Sequence, residues 1–141
     1  MQFYYTGSMK NVVKVLNEQA LKAYNHLLSI FSRVSLDIRT KLSLFDSLVA
    51  PIIMYGSEVW GIYDMPEIDK LHYKFCKYIL GVKPSTSNYA VLGELGRFPL
   101  ATLCKQRAIC YYLKVVNDPN SLLYTVLNEQ FNLLLCLRLK V

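Results

Sequence analysis

The chain has 141 residues, 53% of them hydrophobic and only 18% charged, with a formal net charge of +6. That length fits one domain with ample apolar material for a core. So few charges exclude the usual charge-rich surface of a free-standing soluble domain. Two possibilities are left: a nearly all-buried helical fold, or a piece of a larger protein with apolar surface meant for a neighbour.

In chain order, Met1–Ser8 holds Phe3-Tyr4-Tyr5-Thr6-Gly7, which reads as an extended lead-in with no partner strand. Met9 to Ser32 is helical by pattern, with Val13, Leu16, Ala20, Ala23, Leu27 and Phe31 at three-and-four spacing. Lys14, Glu18 and Lys22 step along the other side, with Glu18 N-terminal to Lys22, the better orientation for a helix ion pair. Ser35 is expected to cap the next helix, with Asp37 in its first turn. Its stripe is Leu42, Phe45, Leu48 and Val49, and Pro51 is expected to kink or restart it. Ile52–Trp60 is apolar on most sides, with Gly56 permitting close packing and Gly61 ending the element. Trp60 reads as core, and Glu58, in apolar surroundings, as needing a cationic or hydroxyl partner.

Asp64-Met65-Pro66-Glu67 is a helix start, with Asp64 as cap and Pro66 in the first turn. This helix runs to Leu80 and stops at Gly81. It is the clearest amphipathic element, with Ile68, Leu71, Phe75 and Ile79 on one side and Lys70, Lys74 and Lys77 on the other. After the loop Lys83–Ser87, a short helix from Asn88 to Leu95 stops at Gly96. Pro99 opens a long helix to about Asn117, Asp118–Ser121 is a turn, and a last helix follows from Leu122 to about Leu137. The expected fold is therefore all-α, an irregular bundle of about five to six helices with a short extended N-terminal segment. Residues 1–8 form the lead-in, 9–117 the helical domain and 118–141 a C-terminal helix or tail.

The charge is uneven. From Lys70 to Lys114 eight basic residues face the single acid Glu94, a local charge of +7. Such an excess is a statement about partners, and a phosphate backbone is the commonest one. Lys70, Lys74 and Lys77 at i, i+4 and i+7, continued by Lys83, can follow a backbone, and Tyr73 and Tyr78 flank them for stacking. A solvated face serving only solubility is the competing reading. Arg107 and Lys114 share one side of the Pro99 helix, which is otherwise apolar nearly all round. Buried there, they need a partner, and internal pairing with Glu94 or Asp118 is favoured over an external phosphate.

Other chemistry is unsupported. The ten acids are scattered singly, and no pair is placed for two-metal phosphoryl chemistry. His26 and His72 lack helical partners, and His72 falls on an apolar face, as a core or rim histidine does. The four cysteines, Cys76, Cys104, Cys110 and Cys136, form no C-x-x-C pair and read as buried free thiols. No metal site or cofactor is expected. With no secretory leader visible, an intracellular compartment, nuclear or cytoplasmic, is expected. The most apolar windows, Leu42–Tyr63 and Leu122–Leu139, are interrupted by Asp46, Pro51 and Glu58 and by Glu129 and Asn132, so no membrane span is expected.

Several co-linear stretches carry a family resemblance. They are Leu44-Phe45-Asp46-Ser47-Leu48-Val49-Ala50-Pro51-Ile52-Ile53-Met54-Tyr55-Gly56-Ser57-Glu58-Val59-Trp60-Gly61, then Ile68-Asp69-Lys70-Leu71-His72 through Phe75, Leu80-Gly81-Val82, and Val91-Leu92-Gly93-Glu94-Leu95-Gly96-Arg97-Phe98-Pro99-Leu100. Together they resemble the region C-terminal to the palm in non-LTR, LINE-type retrotransposon reverse transcriptases. Thr6-Gly7-Ser8 through Ala23 is similar to the segment joining palm to thumb, and the resemblance covers about Tyr5 to Tyr112. It implies a thumb-like helical bundle that packs behind a palm and contacts RNA or an RNA–DNA template–primer duplex. The family's catalytic aspartates lie upstream of such a region, and no Asp-Asp pair occurs here, so the chain is expected not to polymerise DNA. The tail after about Tyr124 matches nothing in the family. The alternative is a helical protein-interaction module, or an inert remnant that self-associates through an exposed apolar patch, with no nucleic-acid role.

Overall fold

The computed structural model describes residues 9–63 and 66–129, and every regular element among them is helical. The helices are α1 (Met9–Arg33), α2 (Ile38–Leu48), α3 (Ala50–Ile53), α4 (Ser57–Trp60), α5 (Glu67–Leu80), α6 (Asn88–Glu94) and α7 (Leu100–Val116). Residues 122–129 are helical as well. The extended lead-in at 1–8, the Asp64 cap and the chain beyond residue 129 lie outside the described residues.

The all-α bundle expected from periodicity is the fold, with more breaks than expected. Asp37, not Ser35, caps α2: its carboxylate accepts from the Thr40 amide at 3.3 Å and from the Thr40 hydroxyl. Those two bonds hold the Asp37 carboxyl below its ordinary range. Pro51 sits in the first turn of α3, where its missing N–H does no harm, so the chain restarts instead of kinking. Gly56 takes the left-handed region at φ 68° and separates α3 from α4. Gly61 caps the C-terminus of α4, as read from sequence, but the close packing expected at Gly56 falls at Gly61 instead. Gly56 makes the turn, whereas Gly61 permits close packing: a Cβ on Gly61 would overlap the carbonyl oxygens of Cys104 and Ser57. That approach seats α4 on α7. Trp60 is buried, and its Nε1 donates to the Tyr55 carbonyl at 3.0 Å.

α1 is the spine. Val13, Leu16, Ala20, Tyr24, Leu27 and Phe31 are buried, Tyr24 taking the place expected for Ala23, which is half-buried. This stripe packs on α2, α3 and α5. Lys14, Glu18 and Lys22 face solvent as expected. Leu48, placed by periodicity in the α2 stripe, is exposed, because the restart at Val49 turns the chain away. Glu58 is exposed too, so water solvates its charge without a protein partner being required.

At the centre the rings of Phe45 and Phe75 stack at 4.1 Å, Phe75 meets Tyr24 edge-on at 6.3 Å, and His72 stacks on Phe45 at 5.7 Å. Arg97 closes this column. Its Nε donates to His72 Nε2 at 3.0 Å, and its two terminal nitrogens grip the Asp46 carboxylate end-on. An imidazole that accepts at Nε2 carries its proton on Nδ1 and is neutral. Burial, reinforced by the Arg97 charge, lowers the His72 pKa to about 4.

Two outcomes follow. Gly61→Ala is expected to lower stability by about 2–3 kcal/mol. Gly81→Ala, whose added carbon meets nothing but must sit at positive φ, is expected to cost about 1–2 kcal/mol. Urea denaturation ranks the two. His72, depressed in the fold, contributes fully above pH 6.5, and that contribution is lost as pH falls towards 4, because the unfolded chain binds the proton first. His72 alone should therefore remove about 2 kcal/mol of stability between pH 7 and pH 5. Denaturation at the two pH values should show this loss in the native chain and a flatter profile in His72→Gln.

Candidate nucleic-acid interface

α5 carries the site. Glu67 and Asp69 in its first turn and Lys77 in its last suit the helix dipole. Pro66 stands just before the first helical residue, one place earlier than expected. At the other end Gly81, at φ 65°, donates to the Tyr78 carbonyl at 3.2 Å, and Val82 donates to Lys77 at 3.2 Å. This is a Schellman close, and it sets the direction of the 82–87 loop. The inward face of α5 is Ile68, Asp69, Leu71, His72, Phe75 and Cys76, all buried, with Ile79 half-buried. Lys70 and Lys74 are exposed on the outer face and Lys77 is half-buried.

Lys70, Tyr73, Lys74, Lys77 and Tyr78 line one open groove of about 440 Å³ with Val82, Pro84 and Asn88 as the far wall. No acid lines it. The lysines and tyrosines singled out in the sequence thus come together, and Lys83 is exposed on the loop between two wall residues. Lys77 is less free than the pattern implied: its Nζ donates to the Pro84 carbonyl at 2.6 Å and ties the loop to the helix. Lys74 has a second contact, its Nζ lying 5.8 Å from the centre of the Tyr24 ring, within cation–π range. Burial, then the neighbouring Tyr78, pushes the Tyr24 phenol up to about 12. Tyr73 is raised by partial burial first, then by Asp69 and Tyr89.

Lys70 and Lys74 also border a larger groove, about 780 Å³, on the α1 side. Lys14, Glu18 and Glu67 line it along with Val13, Leu21 and Leu71, so its charge is mixed. Lys70 and Lys74 form the ridge between a groove of mixed charge and one whose charged lining, among the described residues, is lysine.

Arg107 and Lys114 do not join either groove, and both are exposed on α7. The expectation of internal pairing with Glu94 or Asp118 rested on burial, and that burial is absent. α7 is not enclosed: Ile109, Tyr112 and Leu113 are exposed along it. Cys76 and Cys104 are buried, and burial pushes the Cys76 thiol up to about 11. Cys110, expected to be buried, is exposed for the same reason as its neighbours on α7.

Two polar placements gave no sequence signal, since each joins residues far apart in the chain. One is the Arg97 node. The other is Asp69, buried on α5, whose carboxylate accepts from the Ala101 amide at 3.2 Å and so caps α7 from outside it. Desolvation raises the Asp69 pKa, opposed by the amides of Ala101 and Leu100. Among the described residues no group of three or more His, Cys, Asp and Glu side chains converges, and no helix is long and apolar enough to cross a membrane. No protein-family model, curated protein or solved structure matches this chain.

The two contacts of the lysines separate them experimentally. Lys70→Ala should leave stability within about 0.5 kcal/mol. Lys77→Ala should release the loop, so that the Thr86 amide, bonded to Lys83 at 3.0 Å, exchanges faster while global stability changes by less than about 1 kcal/mol. Hydrogen exchange followed by NMR reads both.

Proposed function

We propose that this chain is a non-catalytic part of a LINE-type reverse transcriptase, an RNA-directed DNA polymerase. Its own contribution is sequence-tolerant binding of RNA or a template–primer backbone. The observation that carries the binding role is the acid-free groove in which Lys70, Lys74 and Lys77 converge, with Lys83 on the adjoining loop. Lysines grouped without counter-charge neutralise phosphates and release counterions. The family assignment rests on the motif resemblance from Leu44 to Leu100. In this reading Arg107 and Lys114, exposed on α7, are supplementary phosphate contacts.

A second reading is favoured by a different surface. Ile109, Tyr112 and Leu113 on α7 are exposed, as are Leu122, Leu123 and Val126 in the following helical turns. Apolar surface on this scale is the mark of a missing neighbour. In a polymerase that neighbour is the palm, and in a stand-alone interaction module it is another copy of the chain.

Salt titration tests the first reading. With Lys70, Lys74, Lys77 and Lys83 each neutralising one phosphate, log affinity for RNA should fall with log salt at a slope of about −3 to −4. Replacing the four by Ala should remove most of that slope. A flat titration, or unchanged binding by the quadruple variant, removes the binding role. Sedimentation showing a concentration-dependent oligomer that ignores polynucleotide supports the interaction module.

A further inference from the structure

The basic groove is also aromatic. Tyr73 and Tyr78 line it beside the lysines, Tyr78 is 48% exposed, and Tyr89, next in sequence to the wall residue Asn88, is 78% exposed. We propose that this groove takes a single-stranded polynucleotide in preference to a duplex, with bases stacked on Tyr78 and Tyr89 and the backbone carried by Lys70 and Lys74. The inference rests on the reading that the lysine face binds nucleic acid, and it specifies which form.

Three observations favour a single strand. A duplex offers sugar and phosphate to a protein surface while its bases stay stacked on each other, so exposed tyrosine rings gain nothing from it. An unpaired strand offers a π-face at every nucleotide, which is why sequence-tolerant single-strand sites combine a cationic track with aromatic platforms. Second, the lysines do not stand on an open ridge alone: Val82, Pro84 and Asn88 wall the groove opposite them. Wall and lysine face together border an open groove of about 440 Å³. Third, the wall is held in place by bonds within the chain. The Lys77 ammonium binds the Pro84 carbonyl, Val82 bonds back to Lys77, and Thr86 bonds to Lys83. A preformed groove avoids the ordering cost of closing a loop on each strand bound.

The roles divide accordingly. Lys77 fixes the wall while its charge still faces the groove, and the exposed Lys70, Lys74 and Lys83 meet phosphate. Tyr73 is half-buried and sets the floor, while Tyr78 and Tyr89 present the rings. Because every base has a π-face, little sequence preference is expected.

Fluorescence anisotropy with the full chain tests this, using labelled oligo(U) and oligo(dT) against a duplex of equal length at several salt concentrations. The expected result is binding of both single strands at least about tenfold tighter than the duplex. Tyr78→Ala should weaken single-strand binding by roughly five- to hundredfold, and Tyr78→Phe should retain it. Tyr78→Ala should leave duplex binding unchanged. Tyr78 is exposed, so a matching thermal melt shows that the variant is folded. Duplex binding as tight as single-strand binding overturns the proposal. So does unchanged single-strand affinity in the folded Tyr78→Ala chain. If Lys70→Ala and Lys74→Ala still weaken binding in either case, the backbone-binding reading stands and only the single-strand preference falls. Failure to bind any polynucleotide at low salt removes both.

Discussion

Arg97 brings three distant parts of the chain to one point. Its guanidinium donates to His72 on α5 and grips Asp46 on α2, while its own backbone lies between α6 and α7. The backbone position is set first. Gly96 turns left-handed at φ 63°, and the amides of Gly96 and Arg97 bond back to Gly93 and Leu92, closing α6 as Gly81 closes α5. The side chain then has one direction to go, over Phe45 towards Asp46. A planar fork with five donors meets both acceptors at once, which a lysine cannot do. The Arg97 side chain is 14% exposed and that of Asp46 51%, so the pair keeps one foot in water and avoids the desolvation cost of full burial.

This node explains why a histidine sits at the centre of an aromatic core. His72 is fully buried among Phe45 and Phe75, yet its Nε2 is occupied by Arg97. A phenylalanine there would pack but leave the Arg97 Nε–H without an acceptor. A protonated imidazole would face the guanidinium with like charge. Only the neutral ring satisfies packing and hydrogen bonding together, at the cost of leaving Nδ1 without a partner among the described residues.

Much of this architecture was legible in order, less in contact. Helix periods, the stops at Gly81 and Gly96, the start of α7 after Pro99 and the outward face of Lys70, Lys74 and Lys77 all follow from rules acting within a few residues. What failed involved residues far apart. Gly61 ends α4 as its sequence suggests, but that it rather than Gly56 admits a close neighbour depends on the approach of Cys104 on α7. Arg97 counts among the basic residues of the Lys70–Lys114 stretch, but its charge is matched by Asp46, which lies outside that stretch. Arg107 and Lys114 read as buried because α7 is apolar on most sides, and periodicity does not reveal that one of those sides is exposed among the described residues. The tyrosine and lysine groove was half visible: the α5 side chains share a face by spacing, whereas the wall from Val82 to Asn88 depends on how the loop returns.

The acids decide where the positive potential is felt. Asp69 is the nearest carboxylate in sequence to the lysine face, yet it turns inward to the first amides of α7. Asp46 is committed to Arg97. Glu18 and Glu67 remain, and both border the groove on the α1 side. Among the described residues these carboxylates near α5 are therefore either directed into the fold or placed on one flank. The other flank keeps Lys70, Lys74 and Lys77 with no acid among its lining residues. Exposed charges interact over about a Debye length, roughly 8 Å at physiological salt, so a phosphate on that flank feels the lysines more than the distant acids. The packing of the interior, which places Asp69 and Asp46 where helix ends and Arg97 need them, thereby makes the outer face of α5 one-sided in charge.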